Sequence, residues 1–212
     1  MKSNNYNFIA PIYDLLTCLI FFGSIQRAQK KYLNLLPETG RVLFIGGGTG
    51  TTLRKLVQLK PHLNIDYVDS SPKMIALSKK KLHKLKSKQV NFICSDESAI
   101  PVCQYDGILS FFYFDLFPFK EGEKIFNQLL SQLKMNGVWL IADFYQAKNW
   151  PQKALGLLMY QFLKLTTNIK SNKIPAISSL TQHHQLQHIK SSAFYNQFIF
   201  SKAFSKSSWN NN

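Results

Sequence analysis

The chain has 212 residues, a length suited to one α/β domain with a substantial core and too short for two of full size. It is 45% hydrophobic and free of internal repeats and low-complexity blocks, so disorder is not the default. A formal net charge of +15 admits nucleic acid or an anionic membrane surface as partners without choosing between them. Cys18, Cys94 and Cys103 show no metal or CxxC spacing, and their odd number does not suggest a disulfide framework, so a reducing cytoplasm fits best.

The apolar run Leu15 to Gly23 resembles a secretory leader only superficially. Asp14 precedes it, one lysine leads the chain, and no small-residue cleavage site follows. It is also too short to span a bilayer, so it reads as a buried amphipathic helix. Residues 1–36 read as one or two helices ending at LNLLPETG, where Pro37 and Gly40 mark a turn. From Arg41 the pattern alternates: strand RVLFI, helix TTLRKLVQLK, strand IDYVD, helix KMIALSKKKLHKLKSK, strand VNFIC. Such alternation implies parallel strands joined by crossover helices.

Asp106 to Phe112 gives a fourth strand, EKIFNQLLSQLKM a helix closed by Asn136-Gly137, and VWLIADF a fifth strand. Beyond Trp150 follow an apolar helix, ALGLLMYQFLKL, a polar link with Pro175, a second helix near LTQHHQLQHI, and a closing β-rich stretch, AFYNQFIFSKAF. Seven lysines crowd between Lys73 and Lys88, on a helix whose apolar members are Ile75, Leu77, Leu82 and Leu85. No aromatic residues interleave there as a nucleic-acid stacking platform would need, so a solvated helix face is the preferred reading.

RVLFIGGGTG sets a strand directly before Gly46, Gly47, Gly48, Thr49 and Gly50, and a helical pattern directly after them. Residues without a Cβ let the chain turn sharply and let a ligand approach the free amides at the helix start. A dinucleotide fingerprint fails on spacing, because the third glycine position falls on Thr51 or Leu53. A phosphate-binding P-loop fails for want of its Gly-Lys-Ser/Thr end. What remains is G-x-G-x-G followed by Asp69 at the end of the second strand, placed to accept both hydroxyls of a ribose.

VLFIGGGTG, YVDSSPKMI, FICSDESAIP and QYDGILS together resemble, in order and spacing, the motifs of class I S-adenosylmethionine-dependent methyltransferases. The resemblance covers roughly residues 8 to 145, and IAPIYD near the start is similar to the ubiquinone and menaquinone biosynthesis type. It implies a Rossmann-like, doubly wound α/β fold: a mainly parallel seven-stranded sheet, helices on both faces and an N-terminal helical lid. The lid would occupy residues 1–38 and the methyltransferase domain 39–212, as one globular unit. It also implies that Gly46, Gly47, Gly48 and Gly50 contact the methionine part of S-adenosylmethionine and that Asp69 holds its ribose. Ser70 and Met74 would border the adenine, Asp96 and Glu97 would flank it from the other side, and Ser110 would close over the cofactor. Phe44 departs from the family, which usually has an acidic residue two positions before the first glycine.

A sulfonium methyl is already activated, so the protein mainly aligns the acceptor and excludes water, and a base is needed only where the acceptor must lose a proton. Tyr13, Asp115 and Asp143 are the candidates for that role, with Asp14, Tyr113 and Tyr145 on the same edge of the sheet. Asp115 and Asp143 equally suit loop caps. His62 and His83 fall on the opposite edge, and His183, His184 and His188 sit in a helical pattern without a carboxylate at ligand spacing, so no metal site is expected. FFYFDLFPF is longer than a strand needs, which leaves several rings free to wall an apolar pocket under a lid from ALGLLMYQFLKL and LLTCLIFFG. The expected acceptor is a hydrophobic small molecule, quinone-like or lipid-like, reached by peripheral membrane contact through the basic surface. The alternatives are methylation of RNA or another nucleic acid, for which no target-base motif follows the fourth strand, and cofactor binding without catalysis.

Overall fold

Strands covered on both faces read as near-continuous apolar runs rather than alternating ones, and four of the five runs after residue 38 fold accordingly, the exception being VNFIC at the sheet edge. The computed structural model describes residues 21–83, 85, 88–145, 150, 180–181 and 185–207. Its strands are β1 (Thr39–Ile45), β2 (His62–Asp69), β3 (Val90–Cys94), β4 (Tyr105–Phe111), β5 (Leu133–Phe144), β6 (Leu186–Phe194) and β7 (Ile199–Lys206). They form one seven-stranded sheet in the order β3-β2-β1-β4-β5-β7-β6. The first five are parallel, and β7 runs antiparallel to both β5 and β6. The order reverses between β1 and β4, and this switch point is where doubly wound sheets open a crevice for ligands. Register brings the strand ends level there, with Ile45 opposite both Val68 and Ser110.

Helices cover both faces. α1 (Ser24–Lys30), α2 (Thr51–Leu59) and α3 (Pro72–His83) cover one, burying Ile25, Ala28, Leu53, Leu56, Ile75 and Leu82 against Phe44, Tyr67 and Leu140. α4 (Phe119–Gln132) covers the other with Ile125, Phe126, Leu129 and Leu130, and Phe126 stacks on the fully buried Trp139 at 4.5 Å between ring centres. Each such aliphatic or aromatic side chain removed from water contributes about 1.5–3 kcal/mol. Within the expected N-terminal lid, Phe21, Ile25, Leu33 and Leu36 are buried in the same core as the sheet, and the Phe21 ring lies 5.6 Å from that of Phe144. Residues 1–20 lie outside the described residues.

Two boundaries differ from the sequence reading. The segment expected as a helix near LTQHHQLQHI is strand β6 from Leu186 onward, which places His188 on a strand, its ring 5.7 Å from Phe204. β6 is an edge strand with almost every side chain at least partly exposed, so it has no apolar alternation to announce it, and backbone pairing with β7 decides its conformation. The helix expected to close at Asn136-Gly137 ends at Gln132 instead. Leu133 is buried opposite Tyr105 and opens β5, so Asn136, with φ 62°, and Gly137 lie within that strand. The register shift between Tyr105 and Gly107 absorbs the extra residues.

Candidate cofactor and acceptor site

The turn after β1 takes a path open to few residues other than glycine: Gly46, Gly48 and Gly50 have φ of 63°, 68° and 78°. Gly47 answers a different constraint, because a Cβ there would meet Tyr67 Cζ at 2.1 Å. α3 and β2 clamp this turn. Tyr67 donates its hydroxyl to the Gly48 carbonyl at 2.9 Å, Ser78 Oγ stands at the same distance, and Lys81 Nζ reaches Thr49 and Thr51 at 2.9 and 2.6 Å. Sequence reasoning missed Tyr67, Ser78 and Lys81, since hydroxyl and ammonium contacts 19 to 32 residues apart leave no local signature.

Asp69 joins the two halves of the site. Its Oδ2 accepts the Gly48 amide at 2.8 Å and its Oδ1 the Ser71 amide at 2.9 Å. Burial pushes its carboxyl upward, and the two amides oppose that shift. Each oxygen accepts one of these amides and has a second lone pair, the number a diol would use. Ser70 is exposed beside it, and Met74 is buried with its amide on the Ser71 hydroxyl at 3.2 Å.

Beyond β3, Asp96 caps a short 3₁₀ turn by accepting the amide and hydroxyl of Ser98, which hold it below its usual carboxylate range. Glu97 accepts the Tyr113 hydroxyl at 3.0 Å. Burial, and then the Glu97 charge, keep that phenol well above its ordinary value. Tyr113 also crosses to the glycine turn, where a Cβ on Gly46 would meet its Cδ2 at 2.6 Å, so the ends of β1, β3 and β4 converge on one ring. Ser110 is buried, and its hydroxyl is engaged by the Trp139 indole at 3.0 Å. Phe44, in place of an acidic residue, is buried edge-on against Tyr67 and Phe111.

The aromatic segment is used chiefly for packing. Phe111, Tyr113 and Phe114 are buried, Phe112 lies 4.8 Å from Phe144, and Phe117 lies 5.1 Å from Tyr113. Asp115 and Asp143 stand at the ends of β4 and β5 on this edge, whereas Tyr13, Asp14, His183, His184 and most of both expected lid segments lie outside the described residues. Among the described residues, no three His, Cys, Asp or Glu are grouped to hold a metal, and no helix is long and apolar enough to cross a membrane.

Residues 42–137, which span the turn, Asp69, Asp96, Glu97, Ser110 and Asp115, match the family model described as a methyltransferase domain. Over that stretch the chain is similar to methyltransferase domains. The domain is 31% identical over 139 residues to the demethylmenaquinone methyltransferase of Thermotoga maritima, covering 64% of this chain and 58% of that protein. It is 34% identical to malonyl-[acyl-carrier protein] O-methyltransferase 2 of Ilyobacter polytropus over 58% of this chain and 48% of that one. Its fold is that of the N-methyltransferase NodS from Bradyrhizobium japonicum WM9, solved with S-adenosyl-l-homocysteine, at a TM-score of 0.62 and 13% identity over 87% of this chain and 88% of the other. Magnesium protoporphyrin IX methyltransferase from Synechocystis PCC 6803, solved with S-adenosylmethionine, aligns with a TM-score of 0.63 at 15% identity over 88% and 81% of the two chains.

Proposed function

We propose that this methyltransferase domain binds S-adenosylmethionine at the turn after β1 and transfers the methyl group to a hydrophobic small molecule. The observation that carries the reading is the Asp69 carboxylate, which bridges the glycine turn and the start of α3 at the sheet's switch point. In this reading Gly46, Gly47, Gly48 and Gly50 border the methionine part, and Asp69 accepts the ribose hydroxyls. Ser70, Met74, Asp96 and Glu97 surround the adenine. Ser110, its hydroxyl committed to Trp139, serves as wall rather than hydrogen-bonding ligand. The demethylmenaquinone methyltransferases among the relatives favour a quinone-like acceptor. A cytoplasmic setting, with peripheral membrane contact through exposed lysines such as Lys73, Lys79 and Lys80, fits such an acceptor.

A second reading, cofactor binding without transfer, is favoured by Phe44, whose apolar burial removes the acidic group this family usually sets against the cofactor's amino group. Transfer of a labelled methyl group from S-adenosylmethionine to demethylmenaquinol or to a malonyl thioester separates the two. Turnover of either supports the enzyme, and binding without turnover on any acceptor supports the second reading.

A further inference from the structure

Two carboxyl groups stand at the edge of the sheet where an acceptor would meet the cofactor, and each carries a buried oxygen without a partner among the described residues. Asp143, next to last in β5, is fully buried on the same face as Trp139 and Ile141. It accepts the Phe144 amide at 2.8 Å through Oδ1, and the amides of Phe114 and Asp115 also stabilise its charge. Among the described residues its Oδ2 has no hydrogen-bond partner, and neither has Oδ1 of Asp115, in the short 3₁₀ turn Phe114–Leu116 that follows β4. β4 and β5 are parallel neighbours, with Phe111 opposite Ala142, so the turn after β4 that carries Asp115 lies beside the end of β5, where its Phe114 and Asp115 amides act on the Asp143 carboxyl.

Among the described residues no cation neutralises them. Lys202 on β7 is diagonal to Asp143, but its ammonium lies over the Phe200 and Tyr145 rings at 5.1 and 5.6 Å. Tyr113 turns its hydroxyl to Glu97, and Lys120, Glu121, Glu123 and Lys124 of α4 are exposed. Burial pushes Asp115 up to about 7, while burial and then the Asp115 charge hold Asp143 well above the carboxylate range. Two acids so close release protons as one unit, with the first loss near neutral pH, where a general base works best.

We propose that Asp115 and Asp143 form a carboxyl pair that takes the proton released by the methyl acceptor, Asp115 receiving it and Asp143 positioning Asp115. The inference rests on the transferase reading above. The acceptor atom's electron pair forms the bond to the methyl carbon, and the carbon–sulfur bond breaks to leave a neutral thioether. The proton displaced from the acceptor passes to the Asp115 carboxylate, so the sulfonium charge and the carboxylate charge disappear together.

The test uses the full chain with Asp115→Asn and Asp143→Asn, demethylmenaquinol as the probe and S-adenosylhomocysteine binding as the control. Both variants are expected to bind the control within twofold of the parent, and to lose on the order of 100-fold or more in methyl transfer. The parent's rate should rise with pH through about 7, and that rise should vanish in the variants. Carboxyl-selective infrared titration supplies a readout that needs no acceptor. A protonated carboxyl should persist at pH 6 in the parent, titrate near neutrality, and change in both variants. A titration confined to the ordinary carboxylate range would overturn the pair even where methyl transfer is found, and an unchanged transfer rate in Asp115→Asn would overturn its role as base.

Discussion

Gly47→Ala tests the clamp on the cofactor turn through a single methyl group. The added Cβ would lie 2.1 Å from Cζ and 2.2 Å from Cε2 of Tyr67, inside any tolerated contact. The ring has no room to yield. It is fully buried, flanked edge-on by Phe44 and Phe92 at 5.3 and 5.5 Å, and tied through its hydroxyl to the Gly48 carbonyl. Overpacking of this kind costs about 1–3 kcal/mol, and a displaced hydroxyl loses about 0.5–1.5 kcal/mol more. Urea unfolding followed by tryptophan fluorescence should therefore place Gly47→Ala about 2–4 kcal/mol below the parent. A double-mutant cycle assigns the cause. Tyr67→Phe keeps the clashing carbons and should give little relief, whereas in Tyr67→Leu the cost of Gly47→Ala should fall by about half or more. Gly48→Ala is the contrast: its φ of 68° carries strain of about 1–2 kcal/mol, but no atom stands within 4 Å of the new Cβ, so no neighbouring substitution should rescue it. If Gly47→Ala proves neutral, or its cost is indifferent to Tyr67, the clamp as described is wrong.

Asp66 ties four strands through Arg41, Asn91 and Tyr105, each at 2.8–2.9 Å. Those three bonds outweigh burial and hold its carboxyl below its usual value. Because the folded value is depressed, its contribution is present above about pH 4 and lost as pH falls further, so Asp66→Asn should cost about 1–3 kcal/mol at pH 7 and flatten the acid limb of the stability curve. Trp139→Phe leaves the buried Ser110 hydroxyl without a donor, and about 1–3 kcal/mol of stability should be lost. Adding Ser110→Ala should recover part of that loss by chemical denaturation.

The fold was legible wherever burial wrote a pattern. β1, β2, β4 and β5 are buried inside the sheet, so their apolar runs stood out, β3 was marked at its edge by Val90, Phe92 and Ile93, and the glycine cluster with Asp69 marked the switch point. β6 was not legible because an edge strand with exposed side chains carries no period. The end of α4 was misread because Asn136 and Gly137, a common helix stop, serve here as an irregularity inside β5. At the site, the glycines and Asp69 were readable as residue types at fixed spacing. Tyr67, Ser78 and the crossing of Tyr113 onto Gly46 depend on contacts between separate strands and helices, which spacing along the chain does not encode. Asp115 and Asp143 were visible as candidates, but their unpaired oxygens and mutual charge emerge only from the packing.

In the proposed reading Asp69 and the turn after β1 hold an S-adenosyl ligand. Calorimetric titration of the parent and Asp69→Ala with S-adenosylhomocysteine, with NAD as control, addresses it directly. Binding in the micromolar range is expected for the parent, none for NAD, and a weakening in the variant of roughly tenfold to a hundredfold or more, as loss of a charged hydrogen bond of about 1.5–3 kcal/mol requires. Equal affinity in parent and variant would contradict the placement of the ribose, and no binding to the parent would contradict the assignment of the site itself.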